Sequence, residues 1–121
     1  MKPQMLVYQM AKEKADTIRN MVLPLGISLR MVTEEDASKT LETLVTEETF
    51  SEKESLAGSK EALVMCGFSQ LQFSLVMGLF SRKKLPKVPV KAMMTDTNKT
   101  WMFRDLVEEI WDEHNKMHQK P

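Results

Sequence analysis

Hydrophobic residues occur along the chain in two arrangements, short unbroken runs and stripes with a spacing of three or four. Two runs, "MLVY" from Met5 and "ALVMC" from Ala62, have the length of strands that are buried on both faces. Two weaker segments alternate in polarity or carry Pro89, which is typical of edge strands. The pattern therefore predicts four strands, at residues 5–9, 27–32, 62–67 and 88–94.

Amphipathic stretches separate these strands and end the chain. Apolar residues recur every three or four positions in three of them, which predicts helices at 12–23, 69–83 and about 102–117. Another helix is predicted after the second strand, capped by Thr33, with a core-facing stripe of Ala37, Leu41, Leu44 and Val45. The polar, acidic segment 46–61 that follows it is expected to be a mobile linker.

The alternation of strand and helix predicts two βαβ units within a single domain, 1–121. The units span 5–33 and 62–118, the second with the C-terminal helix, and the helix and acidic linker fill 34–61. Right-handed crossovers then give an α/β fold with a four-stranded, mostly parallel sheet of order 2-1-3-4 and helices on both faces. A ferredoxin-like α+β sheet with an inserted helix has the same two central strands and remains the alternative.

Composition limits the classes of function. The chain has 121 residues, 42% of them hydrophobic, and a formal net charge of zero. A single domain with its own core is expected at this size, and balanced charge argues against partners such as nucleic acid or an anionic membrane. No apolar run approaches the ~18 residues of a membrane span, and one cysteine cannot form an internal disulfide. A cytoplasmic protein without a signal peptide is therefore expected.

No arrangement of residues predicts catalysis, a metal site or a cofactor. Cys66 has no candidate base near it in sequence and is expected to be a small buried residue. His114 and His118 share a helical face but lie near the chain end without further ligands. The basic cluster at 82–91 has no interleaved aromatic residues. It is interpreted as a solvated helix end, with weak anion attraction as the lesser alternative.

Polar residues follow the predicted strand ends, where an open parallel sheet places its ligands. The predicted ligand-binding residues are Thr33, Gly67, Ser69, Thr95, Thr97 and Asn98. The first hypothesis is thus a non-catalytic binding or regulatory module for a small polar or anionic ligand at the carboxyl edge of the sheet. The alternative is a protein-interaction or homodimerisation domain that uses the wide apolar stripe of the C-terminal helix.

The stretch "TDTNKTW", residues 95–101, has two interpretations, a site or a scaffold. If the last helix begins near Met102, Trp101 precedes the cap and Leu106 stands at N4, which is the arrangement of a hydrophobic staple. Thr97 and Asn98 can hold a turn through bonds between side chain and backbone. The scaffold is the favoured interpretation, and the site stays open.

The second half of the sequence also resembles a known family. "MCGFSQLQ" and then "VPVKAMMTDTNKTWMFRDLVEEIWDEH" are similar to an uncharacterised bacterial family of short proteins, the domain of unknown function 3783. Its features are a Gly-Phe turn, an Ala-x-x-Thr-Pro-Thr-Asn strand end, a Trp and an acidic helix, matched here by Gly67, Phe68, Ala92, Thr95, Thr97, Asn98, Trp101 and Leu106. Asp96 and Met102 replace the family's usual Pro and Thr, and the missing Thr removes a helix cap. The resemblance implies no activity.

Overall fold

The computed structural model describes residues 2–47 and 57–118, except for the side chain of His118. The described strands are β1 (Gln4–Tyr8), β2 (Ser28–Val32), β3 (Ala62–Cys66) and β4 (Lys91–Met93). The described helices are α1 (Lys12–Val22), α2 (Leu41–Thr46), α3 (Gln70–Ser81) and α4 (Phe103–His118), with 3-10 turns at Leu23–Leu25 and Asp36–Ser38. None of these helices is long and apolar enough to cross a membrane.

The strands form one sheet of order β2-β1-β3-β4, which confirms the predicted order and the α/β class. The prediction of a mostly parallel sheet is wrong. β1 pairs with β2 in parallel and β3 with β4 in parallel, but the central pair β1–β3 is antiparallel. The ferredoxin-like alternative is not observed either. That sheet has parallel central strands and antiparallel outer pairs, whereas here the central pair is antiparallel and both outer pairs are parallel.

The direction of β3 follows from where the chain enters it. The N–H of Gly58 donates to the carbonyl of Gln9 at 3.1 Å, and the N–H of Lys60 donates to Gln9 Oε1 at 2.8 Å. Gln9 directly follows β1, so these bonds hold the start of β3 at the end of the sheet where β1 finishes. β3 must then run opposite to β1, so Gly58 and Lys60, at the end of the predicted mobile linker, take part in setting the sheet type.

The predicted mobile linker, 46–61, lies largely outside the described residues, which omit 48–56. Its described flanks are anchored. Thr46 belongs to α2, Glu47 forms ion pairs with Lys39 and Arg30, and Lys60 pairs with Glu108 at 2.8 Å. The mobility of the central part stays a prediction.

Helices cover both faces of the sheet, and each face has its own core. Residues of α1 and α3 pack on one face with Met5, Val7, Leu63 and Met65. Residues of α2 and α4 pack on the other with Leu6, Tyr8, Val64 and Cys66. Because β3 and β4 run opposite to β1 and β2, crossovers of the same hand place α1 and α3 on the same face. The two central strands are buried on both faces, as their unbroken apolar runs predicted.

The helix predicted after Thr33 is interrupted. The stripe itself is confirmed, since Ala37, Leu41, Leu44 and Val45 are all buried in one core. Lys39, however, is extended, with φ −90° and ψ 156°, and its carbonyl accepts a bond from the N–H of Phe103 at 2.9 Å. The second part, α2, therefore needs a cap of its own, and the Thr40 side chain provides it by accepting from the Thr43 N–H.

Candidate functional site

Asn98 organises the turn that follows β4. Its Oδ1 accepts from the N–H of Thr95 at 2.7 Å, and its Nδ2 donates to the carbonyl of Met93 at 3.0 Å. The N–H of Asn98 donates in return to Thr95 Oγ1 at 3.1 Å. Asn98 is only 9% exposed, so the turn is tied internally in the manner expected of a scaffold.

The start of α4 replaces its missing cap with backbone from elsewhere. The helix begins at Phe103, whose N–H is satisfied by the Lys39 carbonyl, while the carbonyl of Trp101 accepts from the N–H of Leu41. Trp101 thus stands two residues before the helix, and Leu106 stands at N4. Both pack on the same core, which is the placement of a hydrophobic staple.

A groove of about 240 Å³ lies between this turn and α4. It is lined by Thr95, Thr97, Asn98, Trp101, Leu106, Glu109, Ile110 and Glu113. Two hydroxyl groups, two carboxylates and one indole ring suit an amine or a polyol better than an anion. Three of the six predicted ligand-binding residues meet here.

The other three predicted residues, Thr33, Gly67 and Ser69, do not line this groove. Thr33 follows β2 at the end of the sheet where β1 finishes, whereas Gly67 follows β3 at the opposite end. Thr33 and Ser69 serve the backbone: Thr33 Oγ1 accepts from the Asp36 N–H at 3.1 Å, and Ser69 forms a capping box with Gln72. Gly67 has φ +72°, a left-handed conformation that suits glycine. A single carboxyl edge therefore does not exist in the mixed sheet.

A polar cluster at the end of β1 was not singled out from the sequence. The Tyr8 hydroxyl donates to Glu34 Oε1 at 2.7 Å, and Arg104 donates to the Glu34 carbonyl at 3.2 Å. Burial raises the pKa of Tyr8, and the bond to Glu34 raises it further. Gln9 beside it has φ +51°, and its side chain also bonds to Glu34. These contacts join the sheet end to α4, and nothing in the sequence spacing marks them.

Arg30 forms a second network that sequence analysis missed. It is 2% exposed, and it donates to the Leu44 carbonyl at 2.9 Å, to Glu47 at 3.1 Å and to Asp36 at 3.2 Å. Burial opposes ionisation of Asp36, but the charges of Arg30 and Lys39 outweigh it and lower its pKa. The pKa of Glu47 is lowered mainly by the hydrogen bond from Lys39. Burial opposes this shift, and the hydrogen bond and charge of Arg30 add to it. The network links β2 to α2, and the only sequence signal was a lone arginine among apolar strand residues.

The candidate nucleophile and the histidine pair gain no support as reactive groups. Cys66 is buried, and this burial raises the pKa of its thiol to about 12, so a thiolate is not available near neutral pH. The His114 ring packs edge-on against Trp111. The described residues contain no group of three or more His, Cys, Asp or Glu side chains placed to hold a metal ion.

A larger cleft opens beyond the end of α3, at the basic cluster. It has a volume of about 580 Å³ and is lined by Phe80, Ser81, Lys83, Leu85, Pro86, Lys87 and Lys91. Lys91 Nζ lies 4.8 Å from the centre of the Phe80 ring and donates to the Val88 carbonyl at 2.9 Å. Burial, together with the charges of Lys87 and Lys14, lowers the pKa of Lys91. The cluster interpreted as a solvated helix end thus encloses a cavity with an aromatic wall.

Comparison with known proteins identifies one family. The family model described as Domain of unknown function (DUF3783) matches residues 61–117, which include β3, α3, β4 and nearly all of α4. No curated protein and no solved structure matches the chain. The match contains both the groove and the basic cleft, and it bears out the resemblance found in the sequence. Residues 61–117, the second half of this chain, are therefore similar to the domain of unknown function 3783 family.

Proposed function

We propose that the protein is a non-catalytic binding module that associates with a second copy of itself through the exposed face of α3. The supporting observation is the composition of this helix. Seven of its twelve residues are large and apolar, and none is charged. Val76 is buried, and four others pack partly buried on the core, but Leu71 and Leu75 remain exposed. A helix that is apolar on all sides is normally buried in a core or an interface.

The exposed face of α3 is self-complementary in residue size. Leu71 is 69% exposed and Leu75 41% exposed, and Ser74 and Gly78 lie on the same side of the helix. In a two-fold contact, leucines of one copy can pack over the exposed Ser74 of the other, so that one surface serves both partners. No residue of α3 itself is charged, and the Arg82 guanidinium beside Gly78 marks the C-terminal limit of this face.

The size of this face favours a weak, reversible dimer. A helix of twelve residues is about 18 Å long, and its face is much smaller than the roughly 800 Å² that each partner contributes to a standard interface. Exposed Met21 and Leu23 at the end of α1 can enlarge it. The start of α3 lies beside the turn that follows α1, since Gln72 Nε2 donates to the Leu25 carbonyl at 2.9 Å.

The C-terminal helix, predicted to carry the interface, is less suited to this role. Phe103, Leu106 and Val107 are buried in the core of the monomer. Trp111 packs on the same core, and its Nε1 donates to the Glu61 carbonyl at 3.2 Å. The wide stripe of α4 is thus largely occupied within the chain.

Sedimentation velocity over a range of concentrations tests the dimer. We expect the mass of the native protein to rise with concentration, and the Leu71→Glu and Leu75→Glu variants to stay monomeric. Met117→Glu is the control, because Met117 is 82% exposed but lies on α4. A native protein that stays monomeric at millimolar concentration would refute the proposal, as would equal effects of the Leu71 and Met117 substitutions.

A second candidate function is binding of a small polar ligand in the groove beside α4. It is favoured by the meeting of Thr95, Thr97 and Asn98 there, with two carboxylates opposite them. An amine such as putrescine is a suitable probe. The site is supported if putrescine shifts the Trp101 indole NMR signal of the native protein and this shift is absent in the Glu109→Gln and Glu113→Gln variants. If millimolar putrescine does not shift the signal of the native protein, the groove is not an amine site.

A further inference from the structure

We propose that the cleft beyond α3 binds a small organic phosphate, with the phosphate held by Lys83, Lys87 and Lys91 and the organic part against the apolar wall. This site is separate from the exposed α3 face and does not depend on dimerisation. It also differs from the groove beside α4, whose carboxylates disfavour an anion.

The charges of the cleft are uncompensated. Within the part of the chain that the structure describes, Lys83, Lys87 and Lys91 form no ion pair. A neighbouring cation, Lys14, is neutralised: it pairs with Glu61 at 2.7 Å and also donates to the Lys87 carbonyl. Three ammonium groups around one cavity repel each other, and a phosphate carrying nearly two negative charges removes this repulsion.

Lys91 is the lysine placed deepest. Its side chain is held over the Phe80 ring, and one of its three donors is used by the Val88 carbonyl. The other donors remain for a ligand. Its lowered pKa fits a cation that is partly desolvated and lies among like charges, so a bound anion would favour its charged form.

The backbone at Lys83 supports a role beyond helix termination. α3 ends at Ser81, and Lys83 occupies the left-handed position after the helix with φ +59°. Glycine is the usual residue there because a side chain strains this conformation. The chain instead has a lysine there, and this residue lines the cleft. Strain of this kind is tolerated at binding sites.

The cleft selects a phosphate with an organic part over a bare ion. Its volume of about 580 Å³ lies within the range for small-molecule sites. Leu85, Pro86 and the Phe80 ring give it an apolar wall on which a ring or an aliphatic chain can pack. Phosphate alone would leave this wall uncovered, so affinity should increase when an apolar group is attached to the phosphate.

Phenyl phosphate, inorganic phosphate and phenol are the probes, and NMR titration of the full chain at low ionic strength is the measurement. We expect phenyl phosphate to bind at least tenfold more tightly than inorganic phosphate, and phenol not to bind at millimolar concentration. Lys87→Gln should weaken phenyl phosphate about tenfold, as expected for the loss of one charged hydrogen bond. Lys84→Gln is the control, since Lys84 belongs to the same cluster but does not line the cleft.

Lys83→Gly separates binding from folding. Relief of the left-handed strain should raise Tm, while loss of the ammonium group should weaken phenyl phosphate, so the two effects have opposite signs. Leu71→Glu should leave this affinity unchanged, which distinguishes the site from the α3 interface. Vesicles containing phosphatidic acid test whether the phosphate bound by the protein is a lipid headgroup instead of a small soluble molecule. Binding to these vesicles without binding of phenyl phosphate would overturn the proposal. Equal losses of phenyl phosphate affinity in Lys84→Gln and Lys87→Gln would also overturn it, because they would indicate attraction by the whole basic cluster rather than binding in the cleft.

Discussion

Replacement of Asn98 by alanine distinguishes a scaffold from a ligand site at the 95–101 turn. The side chain makes two hydrogen bonds, to the Thr95 N–H at 2.7 Å and to the Met93 carbonyl at 3.0 Å. Each such bond contributes about 1 kcal/mol net to stability. Thr95 is exposed and Met93 is 39% exposed, so water can reach the two groups left behind and no large burial penalty is added. We expect Asn98→Ala to destabilise the protein by about 2 kcal/mol.

Two further variants sharpen this comparison. Asn98→Asp keeps the acceptor for Thr95 but loses the donor to Met93, so it should cost about 1 kcal/mol or slightly more. Thr97→Ala is the control, because the Thr97 side chain is exposed and makes no hydrogen bond within the described residues. Its effect should stay within about 0.5 kcal/mol.

Urea unfolding of the four proteins without ligand measures these differences. For the usual slope of roughly 1–3 kcal/mol per molar, the Asn98→Ala midpoint should fall by about 1 M. A residue retained for a ligand predicts the opposite, because its replacement leaves the free protein equally stable or more stable. An unchanged or higher midpoint for Asn98→Ala would refute the scaffold argument.

Three other substitutions and a change of pH have defined outcomes. Trp101→Ala should cost about 2–3 kcal/mol in urea unfolding, less than the 3–5 kcal/mol of a fully buried Trp because the ring is half-buried; a neutral result would contradict the staple. Arg30→Met should cost roughly 3 kcal/mol at neutral pH, since it leaves Asp36 and Glu47 without their buried partner. The native protein should lose stability as pH falls below about 4, because the pKa values of Asp36 and Glu47 are lower in the folded protein than in the unfolded chain. Their contribution to stability is complete above the unfolded pKa and is lost as pH falls through the folded pKa. Arg30→Met should make stability depend less on pH in this range. Lys83→Gly should raise stability by about 0.5–1 kcal/mol, and a lower Tm would show that its backbone is not strained.

Local patterns in the sequence predicted the elements well, because each depends on neighbouring residues. The run "ALVMC" predicted a strand buried on both faces, and all five residues of β3 are buried. The stripe of Ala37, Leu41, Leu44 and Val45 was likewise predicted to face the core, and all four residues are buried. The break at Lys39 could not be predicted, because it depends on a carbonyl that bonds to Phe103, more than sixty residues later in the chain.

The candidate site was harder to predict than the fold, since it depended on strand direction. Thr33 and Gly67 were expected at one edge because both follow strands, and they lie at opposite ends once the sheet is mixed. The basic cleft escaped notice for another reason. Phe80 belongs to α3 and Lys91 to β4, so neither the spacing nor the composition of residues 82–91 indicates that an aromatic ring faces the lysines.

Strand direction itself rests on a few polar contacts at one residue. Gln9 leaves β1 in a left-handed conformation, and this turns its carbonyl and side chain toward Gly58 and Lys60. Parallel and antiparallel arrangements of β1 and β3 bury the same apolar runs, so hydrophobic pattern alone cannot choose between them. The docking of residues 58–60 on Gln9 decides the choice by bringing the chain back to the end of the sheet where β1 finishes. The contacts at the end of this polar segment are therefore part of the fold's specification, because they hold the start of β3 at the end of the sheet from which it runs against β1.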